Sequence, residues 1–239
     1  MGHNKQPLDG NESNSLAGIE LLSGLDEKER AVVEKSCRWR RYIPHQQIID
    51  KESPSRDVCF VVTGSVRIVN YSFSGRGIIL DELPSGGYFG ELSAIDGLPR
   101  SARVVSLTEA MIAFLPRPAF LRLLDIHPKL SLKVMAHLAE IIRASTQRIM
   151  DLSTLGANNR IHADLLIHAG DIDENTARAV IAPIPIHSDI ASRVSTSRET
   201  VARVMNDLVR KGILEKKEDR LIICDVQRLK EMVEDVRGE

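Results

Sequence analysis

The sequence predicts an α+β fold: an antiparallel β-barrel or sandwich, then one long helix, then a winged helix-turn-helix domain. Three observations support this order. Short apolar runs separated by turn residues fill residues 42–115, an uninterrupted helical period covers 128–155, and two short helices with a hairpin fill most of 188–236. With 239 residues, the chain is long enough for two domains that each bury a core.

Composition and charge exclude several classes of protein. Lys and Arg total 32 and Asp and Glu total 33, so a formal net charge of −1 gives no support for binding a polyanion; such support has to come from local placement. Cys37, Cys59 and Cys224 form no CxxC pair, which argues against a disulfide scaffold, a zinc knuckle or an iron–sulfur cluster. No apolar run approaches the ~18 residues that span a bilayer. We therefore expect a cytoplasmic protein with no membrane partner and no metal.

The first predicted domain covers residues 17–127 and follows a polar tail, residues 1–16, which we expect to be disordered. Asp26 is placed to cap a short helix at its start. The β-branched composition and close spacing of the next apolar runs indicate a barrel or sandwich. These runs are Gln47–Ile49, Val58–Val62, Val66–Val69, Ile78–Leu80, Arg103–Val105 and Ala110–Leu115.

The third segment, residues 128–156, is a long helix that ends in a hinge, where Gly156-Ala157-Asn158-Asn159 is expected to break the helix. Apolar residues recur at alternating spacings of three and four, which is the a/d seam of a helix that pairs with a copy of itself. The alternative is a helix that packs only on its own barrel, but the narrow stripe and its charged flanks favour a homodimer. One seam position is polar, which calls for a register role or a ligand. The seam residues are Met135, Leu138, Ile142, Ser145, Ile149 and Leu152.

The last domain, residues 157–239, has the pattern of a winged helix-turn-helix. A helix from Ile161 to Ala169 precedes an apolar segment whose prolines restrict it to an edge strand. Two short helices then meet at Ser195-Thr196, and Ser197 can cap the second, whose buried face is Val201, Val204 and Leu208. Apolar pairs on both sides of a charged turn, residues 216–220, predict the hairpin wing, and Asp225 is placed to cap a final helix.

One group of residues suits a phosphorylated sugar. Glycines such as Gly90 let backbone N–H groups approach a phosphate, and Arg100 can give a phosphate two charged hydrogen bonds. The carboxylate of Glu91 can accept from a ribose hydroxyl, and Ser101 adds one more donor. Taken separately each is weak evidence, because a Gly-rich turn is usually only a turn and a surface Arg–Glu pair contributes only ~0–1 kcal/mol.

A second group suits DNA. The first turn of the second short helix carries Arg198 and Glu199, with Arg203 one turn later. A helix-turn-helix places this part of its second helix in the major groove, where Arg reads guanine and Glu accepts from cytosine. The alternative is a solvated helix with an ordinary Glu199–Arg203 pair at i,i+4, which charge alone would favour.

Both groups resemble known family motifs. Phe89-Gly90-Glu91-Leu92 followed by Arg100-Ser101-Ala102 resembles the phosphate-binding cassette of cyclic-nucleotide-binding domains. The order of barrel, seam helix, hinge and winged helix-turn-helix resembles the CRP/FNR family of bacterial transcription regulators, most closely its cyclic-AMP receptor branch. The resemblance implies that the first domain is an antiparallel β-roll of the jelly-roll type, a cyclic-nucleotide-binding domain. The resemblance implies that Glu91 holds the ribose 2′-hydroxyl and that Arg100 and Ser101 hold the cyclic phosphate. Further donors would be the N–H groups of Gly90, Leu92 and Ala102.

The resemblance also implies the remaining roles. Ser197 to Arg203 is similar to the recognition helix of that branch, so Arg198, Glu199 and Arg203 would contact a TGTGA-like half-site, with Ser197 or Thr200 near phosphates. Ser145-Thr146 corresponds to the pair that meets the base of the nucleotide from two subunits. The expected effector is cyclic AMP, with cyclic GMP open, and the expected partners are double-stranded DNA, a second copy of the chain and RNA polymerase.

Alternatives to this interpretation exist inside and outside the family. An oxygen-sensing relative needs an N-terminal cysteine cluster, which is missing, and a haem-binding relative would need ligands such as His45 and Cys59. Neither of these variants would explain Glu91 beside Arg100-Ser101. A family member that uses another effector such as haem, or that acts without a ligand, is the alternative function. An enzyme is disfavoured because the histidines show no metal spacing and neither GxSxG nor a P-loop is present.

Overall fold

The computed structural model describes residues 14–72, 75, 77–173 and 176–237. The chain divides into two compact units, the first formed by residues up to 68 together with 82–134, and the second by 69–81 together with 135–239. The domain boundaries predicted at 127 and 156 do not coincide with this division. It places residues 69–81, and most of the long helix that begins at Pro128, in the second unit.

The N-terminal edge of the first unit begins earlier than expected. Residues 1–13 of the predicted tail lie outside the described residues, but Leu16, placed at the end of that tail, is fully buried, and its N–H donates to Glu34 at 2.7 Å. A 3₁₀ turn, Glu20–Leu22, follows, and helix α1 spans Glu27–Ser36. Asp26 caps α1 in a capping box with Glu29, as its position in the sequence predicts.

Eight strands form the roll in two four-stranded antiparallel sheets, ordered β1-β8-β3-β6 and β2-β7-β4-β5. Apolar residues of both sheets, among them Val61, Val66, Val104 and Ile112, share one buried cluster, so the sheets enclose a single core. Six strands fall on the predicted runs, while β1 and β6 were not predicted. The strands are β1 (Arg38–Tyr42), β2 (Gln47–Ile49), β3 (Val58–Thr63), β4 (Ser65–Tyr71), β5 (Gly77–Pro84), β6 (Tyr88–Phe89), β7 (Arg103–Ser106) and β8 (Ala110–Leu115).

Two helices interrupt or follow the roll. Helix α2 spans Glu91–Asp96 between β6 and β7, and helix α3 spans Arg117–Ile126 after β8. Neither was predicted. Pro118 lies in the first turn of α3, a position that proline favours because the N–H groups there have no helical acceptor.

Helix α4 spans Pro128–Thr154, as predicted to within a residue. Only Leu130 and Val134, near its start, are buried. The seam is largely exposed: Met135, Ile142 and Ile149 have 57%, 65% and 64% of their surface accessible.

The second unit contains the winged helix-turn-helix. Its antiparallel sheet has the order β10-β11-β9, so β9 is an edge strand, as the prolines after it indicate. Gly156 caps α5 in extended backbone, so the predicted break is shorter than expected, and Asn158 and Asn159 are helical. The elements are α5 (Ala157–Ile167), β9 (Ala179–Ile181), α6 (His187–Arg193), α7 (Arg198–Arg210), β10 (Leu214–Lys217), β11 (Arg220–Ile223) and α8 (Val226–Arg237).

The core of this unit confirms the predicted faces. Val201, Val204 and Leu208 of α7 are buried together with Ile161, Ile190 and residues of the hairpin. The Asp225 carboxylate accepts from the N–H of Arg228 at 2.8 Å, so it caps α8 as predicted. Within the described ranges, no helix has the length and apolarity that crossing a bilayer requires.

Candidate functional site

The first candidate site is built around the start of α2. Gly90 caps this helix with φ 88° and ψ 6°, a left-handed conformation that favours glycine. A Cβ at this position would collide with the Arg100 guanidinium and lie 2.9 Å from the carbonyl oxygen of Asp57. Glycine is therefore required here both by the backbone and by the close approach of Arg100.

Arg100 is folded inward against three backbone and side-chain oxygens. Its Nη1 donates to Gly90 O at 3.0 Å, and its Nη2 donates to Asp57 O at 2.7 Å and to Ser55 Oγ at 3.3 Å. Only 4% of the residue is exposed, and burial lowers the pKa of the guanidinium. Its Nε is buried and has no hydrogen-bond partner within the described chain. A charged group with an unsatisfied donor is costly in a folded protein unless an acceptor completes it.

Glu91 adds a buried carboxylate beside this cation. It is the first residue of α2, is 6% exposed and contributes to the electrostatic field at Arg100. The N–H of Leu92 lies in the first turn of the same helix, where no helical carbonyl can accept from it. The start of α2 therefore holds three of the predicted residues, Gly90, Glu91 and Leu92. The fourth, Arg100, folds back onto it from the loop between α2 and β7.

Ser101 and Ala102 follow Arg100 directly and lead into β7. Ser101 is exposed, whereas Ala102 is 8% exposed. Sequence reasoning missed Ser55 and Asp57, which hold the Arg100 guanidinium in place. Asp57 acts here through its backbone carbonyl, and a carbonyl has no signature in a sequence; its side chain forms an ion pair with Arg38.

This arrangement fits a small anion that also carries hydroxyl groups. The unpartnered Nε of Arg100 provides a charged donor, and a bound phosphate oxygen would satisfy it. The Glu91 carboxylate provides an acceptor for a hydroxyl.

The candidate haem ligands do not form a comparable site. Cys59 is fully buried in the roll core, and burial strongly raises the pKa of its thiol, which keeps it protonated. His45 is exposed, in a left-handed turn before β2. Among the described residues, no group of three or more His, Cys, Asp or Glu side chains could hold a metal ion.

Ser145 and Thr146 are exposed residues of α4 in the second unit. The Thr146 hydroxyl donates to Ile142 O at 2.9 Å, within its own helix. Both hydroxyl oxygens remain able to accept a hydrogen bond.

The second candidate site is the start of α7. Ser197 caps the helix, and its Oγ accepts from the Thr200 N–H at 3.2 Å. The Ser197 and Thr200 hydroxyls also lie 3.2 Å apart. This cap fixes the first turn of α7, and the buried face opposite it anchors the rest of the helix.

The three side chains expected to reach base edges all face solvent. Arg198, Glu199 and Arg203 are exposed, and hydrogen bonds from the backbone and from Ser197 lower the pKa of Glu199, so it is an ionised acceptor at neutral pH. The described ion pairs do not include a Glu199–Arg203 pair, although the two residues stand at the i,i+4 spacing.

Two protein-family profiles match the chain, one over each candidate site. The profile of the cyclic nucleotide-binding domain matches residues 39–127, and that of the Crp-like helix-turn-helix domain matches residues 160–232. The chain belongs to the CRP/FNR family of transcription regulators. This family consists of regulators and not of enzymes, so a ligand-responsive, DNA-binding role follows from membership.

Individual relatives agree with this assignment. The cAMP-activated global transcriptional regulator CRP of Escherichia coli O6:H1 is 26% identical over 173 residues, which are 72% of this chain and 82% of that protein. Among solved structures, a CooA mutant from Carboxydothermus hydrogenoformans shares the fold, with a TM-score of 0.76, 21% identity and coverage of 93% and 96% of the two chains. The c-di-GMP responsive regulator CLP of Xanthomonas campestris also shares it, with a TM-score of 0.66, 19% identity and coverage of 79% and 94%.

Proposed function

We propose that this family member is a cyclic-nucleotide-dependent regulator that binds palindromic DNA as a homodimer, with cyclic AMP as its first candidate effector. The observation that carries the proposal is the buried pair of Glu91 and Arg100, in which Arg100 Nε lacks a partner in the described chain. A buried cation with an open donor beside a buried carboxylate matches the phosphate and ribose of a cyclic nucleotide.

In this proposal each part of the nucleotide has its own contacts. Arg100 Nε and the Ser101 hydroxyl donate to the cyclic phosphate, and Glu91 accepts from the ribose 2′-hydroxyl. The N–H groups of Gly90, Leu92 and Ala102 are the further donors. Because the phosphate carries only one charge, a single guanidinium in a site of low dielectric is enough to balance it.

The base is assigned to the seam of α4. Met135, Ile142 and Ile149 form an exposed apolar stripe, which a second copy of the helix would cover. Ser145 lies on the same stripe, so in a dimer it and Thr146 face the ligand from the two subunits. A hydroxyl can serve adenine or guanine, which is why cyclic GMP is retained as the second candidate.

DNA recognition is assigned to α7. Arg198, Glu199 and Arg203 would contact the bases of a TGTGA-like half-site, and Ser197 and Thr200 the adjacent phosphates. A homodimer presents two such helices, and the half-sites of a palindrome lie about 34 Å apart, one turn of DNA. Nucleotide binding would shift the population toward the arrangement with that spacing, through α4 and the Gly156 connection. RNA polymerase is the expected partner of the DNA-bound dimer.

The alternative is a relative with a different effector or with none. It is kept because proteins with this fold differ in their effector: the regulator CLP of Xanthomonas campestris responds to c-di-GMP. At 19% identity that protein shows the fold of this chain and does not identify its effector. The test has to compare effectors directly and not assume one.

Calorimetry with cyclic AMP, cyclic GMP and c-di-GMP, on the wild type and on Arg100→Gln, tests the effector. We expect a cyclic mononucleotide to bind the wild type and Arg100→Gln to bind it roughly 10- to 150-fold more weakly, since a hydrogen bond to a charged group contributes about 1.5–3 kcal/mol. Arg103→Gln is the matched control, because Arg103 is paired with Asp50. Binding of c-di-GMP alone, or equal affinity in both variants, would overturn the effector assignment.

DNA binding is tested by selection from a random duplex pool, with and without the bound nucleotide. We expect enrichment of inverted repeats with TGTGA-like halves, and only when nucleotide is present. Enrichment of the same repeats without nucleotide would favour a regulator that needs no effector.

A further inference from the structure

The turn between α6 and α7 is held by arginine side chains from outside the helix-turn-helix. The last carbonyls of a helix have no N–H partner within it and need other donors. Here Arg148 Nη2 donates to Arg193 O at 2.8 Å, and Arg160 Nε donates to Val194 O at 2.9 Å. Arg160 Nη2 also reaches Ser195 O, at 3.4 Å. Three successive carbonyls of the turn are therefore bound by two guanidinium groups.

Each of these arginines also contacts the long helix or the hairpin beside it. Arg148 belongs to α4, and its Nη1 donates to Ile79 O in β5 at 2.8 Å. Arg160 belongs to α5, and its Nη1 donates to Leu155 O, the residue that follows α4, at 2.7 Å. All of these residues lie within the second compact unit. We call this set, Arg148 and Arg160 with the carbonyls of residues 193–195, the arginine clamp.

The turn is tied to α5 by a further contact. Arg193 Nε and Nη2 donate to the two oxygens of Asp164 at 2.7 and 2.8 Å, and Asp164 is 6% exposed. This pair is buried and bidentate, so it fixes the end of α6 on α5. Through Arg148, the arginine clamp also connects α4 to the end of α6.

Packing alone does not explain an arginine at position 148. It is half-buried, burial lowers the pKa of its guanidinium, and its hydrogen bonds within the described chain go to neutral carbonyls. An apolar side chain could cover the same surface without the desolvation of a charge. A guanidinium has the geometric advantage that its planar fork holds two acceptors in fixed directions.

We propose that Arg148 and Arg160 are positioning residues for DNA binding, which carry movement of α4 to the turn that sets the direction of the recognition helix. The inference rests on the proposed function, because α4 also bears Ser145 and Thr146. Ser145 lies three residues, about 4.5 Å along the helix axis, before Arg148. The turn ends one residue before Ser197, the cap of α7, so a displacement of the turn displaces Arg198 and Glu199 with it.

The decisive quantity is the coupling ratio, the affinity for DNA with cyclic AMP divided by the affinity without it. It is measured by fluorescence anisotropy at one fixed salt concentration, on the best duplex from the selection. We compare the wild type with Arg148→Met, Arg160→Met and Arg143→Met. The last is the matched control, because Arg143 is an exposed arginine of the same helix and loses the same charge.

We expect Arg148→Met and Arg160→Met to lower the coupling ratio at least tenfold, while calorimetry still detects cyclic AMP binding. Arg143→Met should keep the ratio of the wild type. A merely structural role would weaken DNA binding equally with and without nucleotide and leave the ratio unchanged, so a ratio within twofold of the wild type in both clamp variants overturns the inference.

Hydrogen exchange makes the clamp testable independently of the effector. We expect the amides of residues 193–196 to exchange faster in the two clamp variants than in Arg143→Met, because the turn has lost its external donors. Unchanged exchange there would refute the clamp. If the wild type binds no cyclic nucleotide, the proposed function fails instead, and the exchange experiment still decides whether the arginines hold the turn.

Discussion

Replacing Gly90 by alanine tests the geometry of the candidate nucleotide site. Gly90 and Gly97 flank the same helix, α2, and have nearly the same left-handed backbone, with φ 88° and ψ 6° for Gly90 and φ 74° and ψ 2° for Gly97. They differ in what a Cβ would meet. At Gly97 the nearest heavy atom is Arg117 Nη2, 3.7 Å away, whereas at Gly90 the Cβ would collide with the Arg100 guanidinium.

This difference separates backbone strain from steric overlap. A non-glycine residue in the left-handed region costs about 1–2 kcal/mol, which both variants incur. Gly90→Ala adds an overlap with Arg100 and a distance of 2.9 Å to Asp57 O. Overlap in a packed site costs about 1–3 kcal/mol more. We therefore expect the free energy of unfolding to fall by about 1–2 kcal/mol in Gly97→Ala and by about 2–5 kcal/mol in Gly90→Ala.

The single tryptophan makes the measurement specific to the first unit. Trp39 lies in β1, opposite Ala113 of β8, so its fluorescence reports unfolding of the roll during a urea titration. Calorimetry with cyclic AMP is then done on both variants. Gly97→Ala should bind nearly as well as the wild type, whereas Gly90→Ala should bind at least tenfold more weakly because its Arg100 is displaced.

The reasoning would be refuted by two variants that unfold at the same urea concentration and bind nucleotide equally. That result would mean that glycine is needed at position 90 only for its backbone conformation. The close approach of Arg100 would then have no part in shaping the site.

Three further predictions concern the second unit. Burial lowers the pKa of His162 from 6.5 to about 4, so the unfolded chain binds a proton that the folded chain does not as the pH falls through this range. The free energy of unfolding should therefore drop by about 2 kcal/mol between pH 7 and pH 5, and His162→Leu should lose that pH dependence in urea titrations followed by circular dichroism. Ile149→Glu, on the exposed seam, should shift the protein to monomer in sedimentation velocity, and an unchanged sedimentation coefficient would contradict the proposed dimer. Arg203→Met should reduce the preference for the selected duplex over a scrambled one by about tenfold or more, with Arg210→Met as the control.

The fold was predictable wherever apolar periodicity determines the element. The six apolar runs became strands, because the side chains that set the period are those that pack in the roll. The seam residues became part of α4 through their helical period, although most of them are exposed in the single chain. Strand β1 was missed for the opposite reason. Its sequence, Arg38 to Tyr42, is mostly charged, and it is a strand because the backbone of β8 pairs with it along its whole length.

Of two other errors, one had a local cue and the other did not. Pro118, three residues after the end of β8, is a helix-start signal that could have predicted α3. Leu16 is an apolar residue in a polar context; it is fully buried, and its N–H donates to Glu34, eighteen positions away. A contact of that range leaves no local pattern in a sequence.

The candidate sites were predictable only in their side chains. Glu91 and Arg100 could be picked out because their charges belong to a spaced motif, but the oxygens that orient Arg100 belong largely to the backbone of Gly90 and Asp57. The arginine clamp is the same case, since Arg148 and Arg160 bind only carbonyls within the described chain. A backbone carbonyl is present at every position, so no sequence pattern marks the few that matter.

The same distinction explains why net charge is a poor guide to DNA binding in this chain. Several cations of the second unit are engaged inside it: Arg193 with Asp164, Lys211 and Arg210 with Asp207, and Arg148 and Arg160 with carbonyls. Arg198 and Arg203, by contrast, are exposed and form no ion pair among the described residues. The net charge counts cations that have an internal acceptor and exposed cations that have none as if they were equivalent. Whether a surface binds DNA depends on how many of its cations have no internal acceptor and on where they lie. Here the first turns of α7 carry two of them, next to the helix start that Ser197 caps.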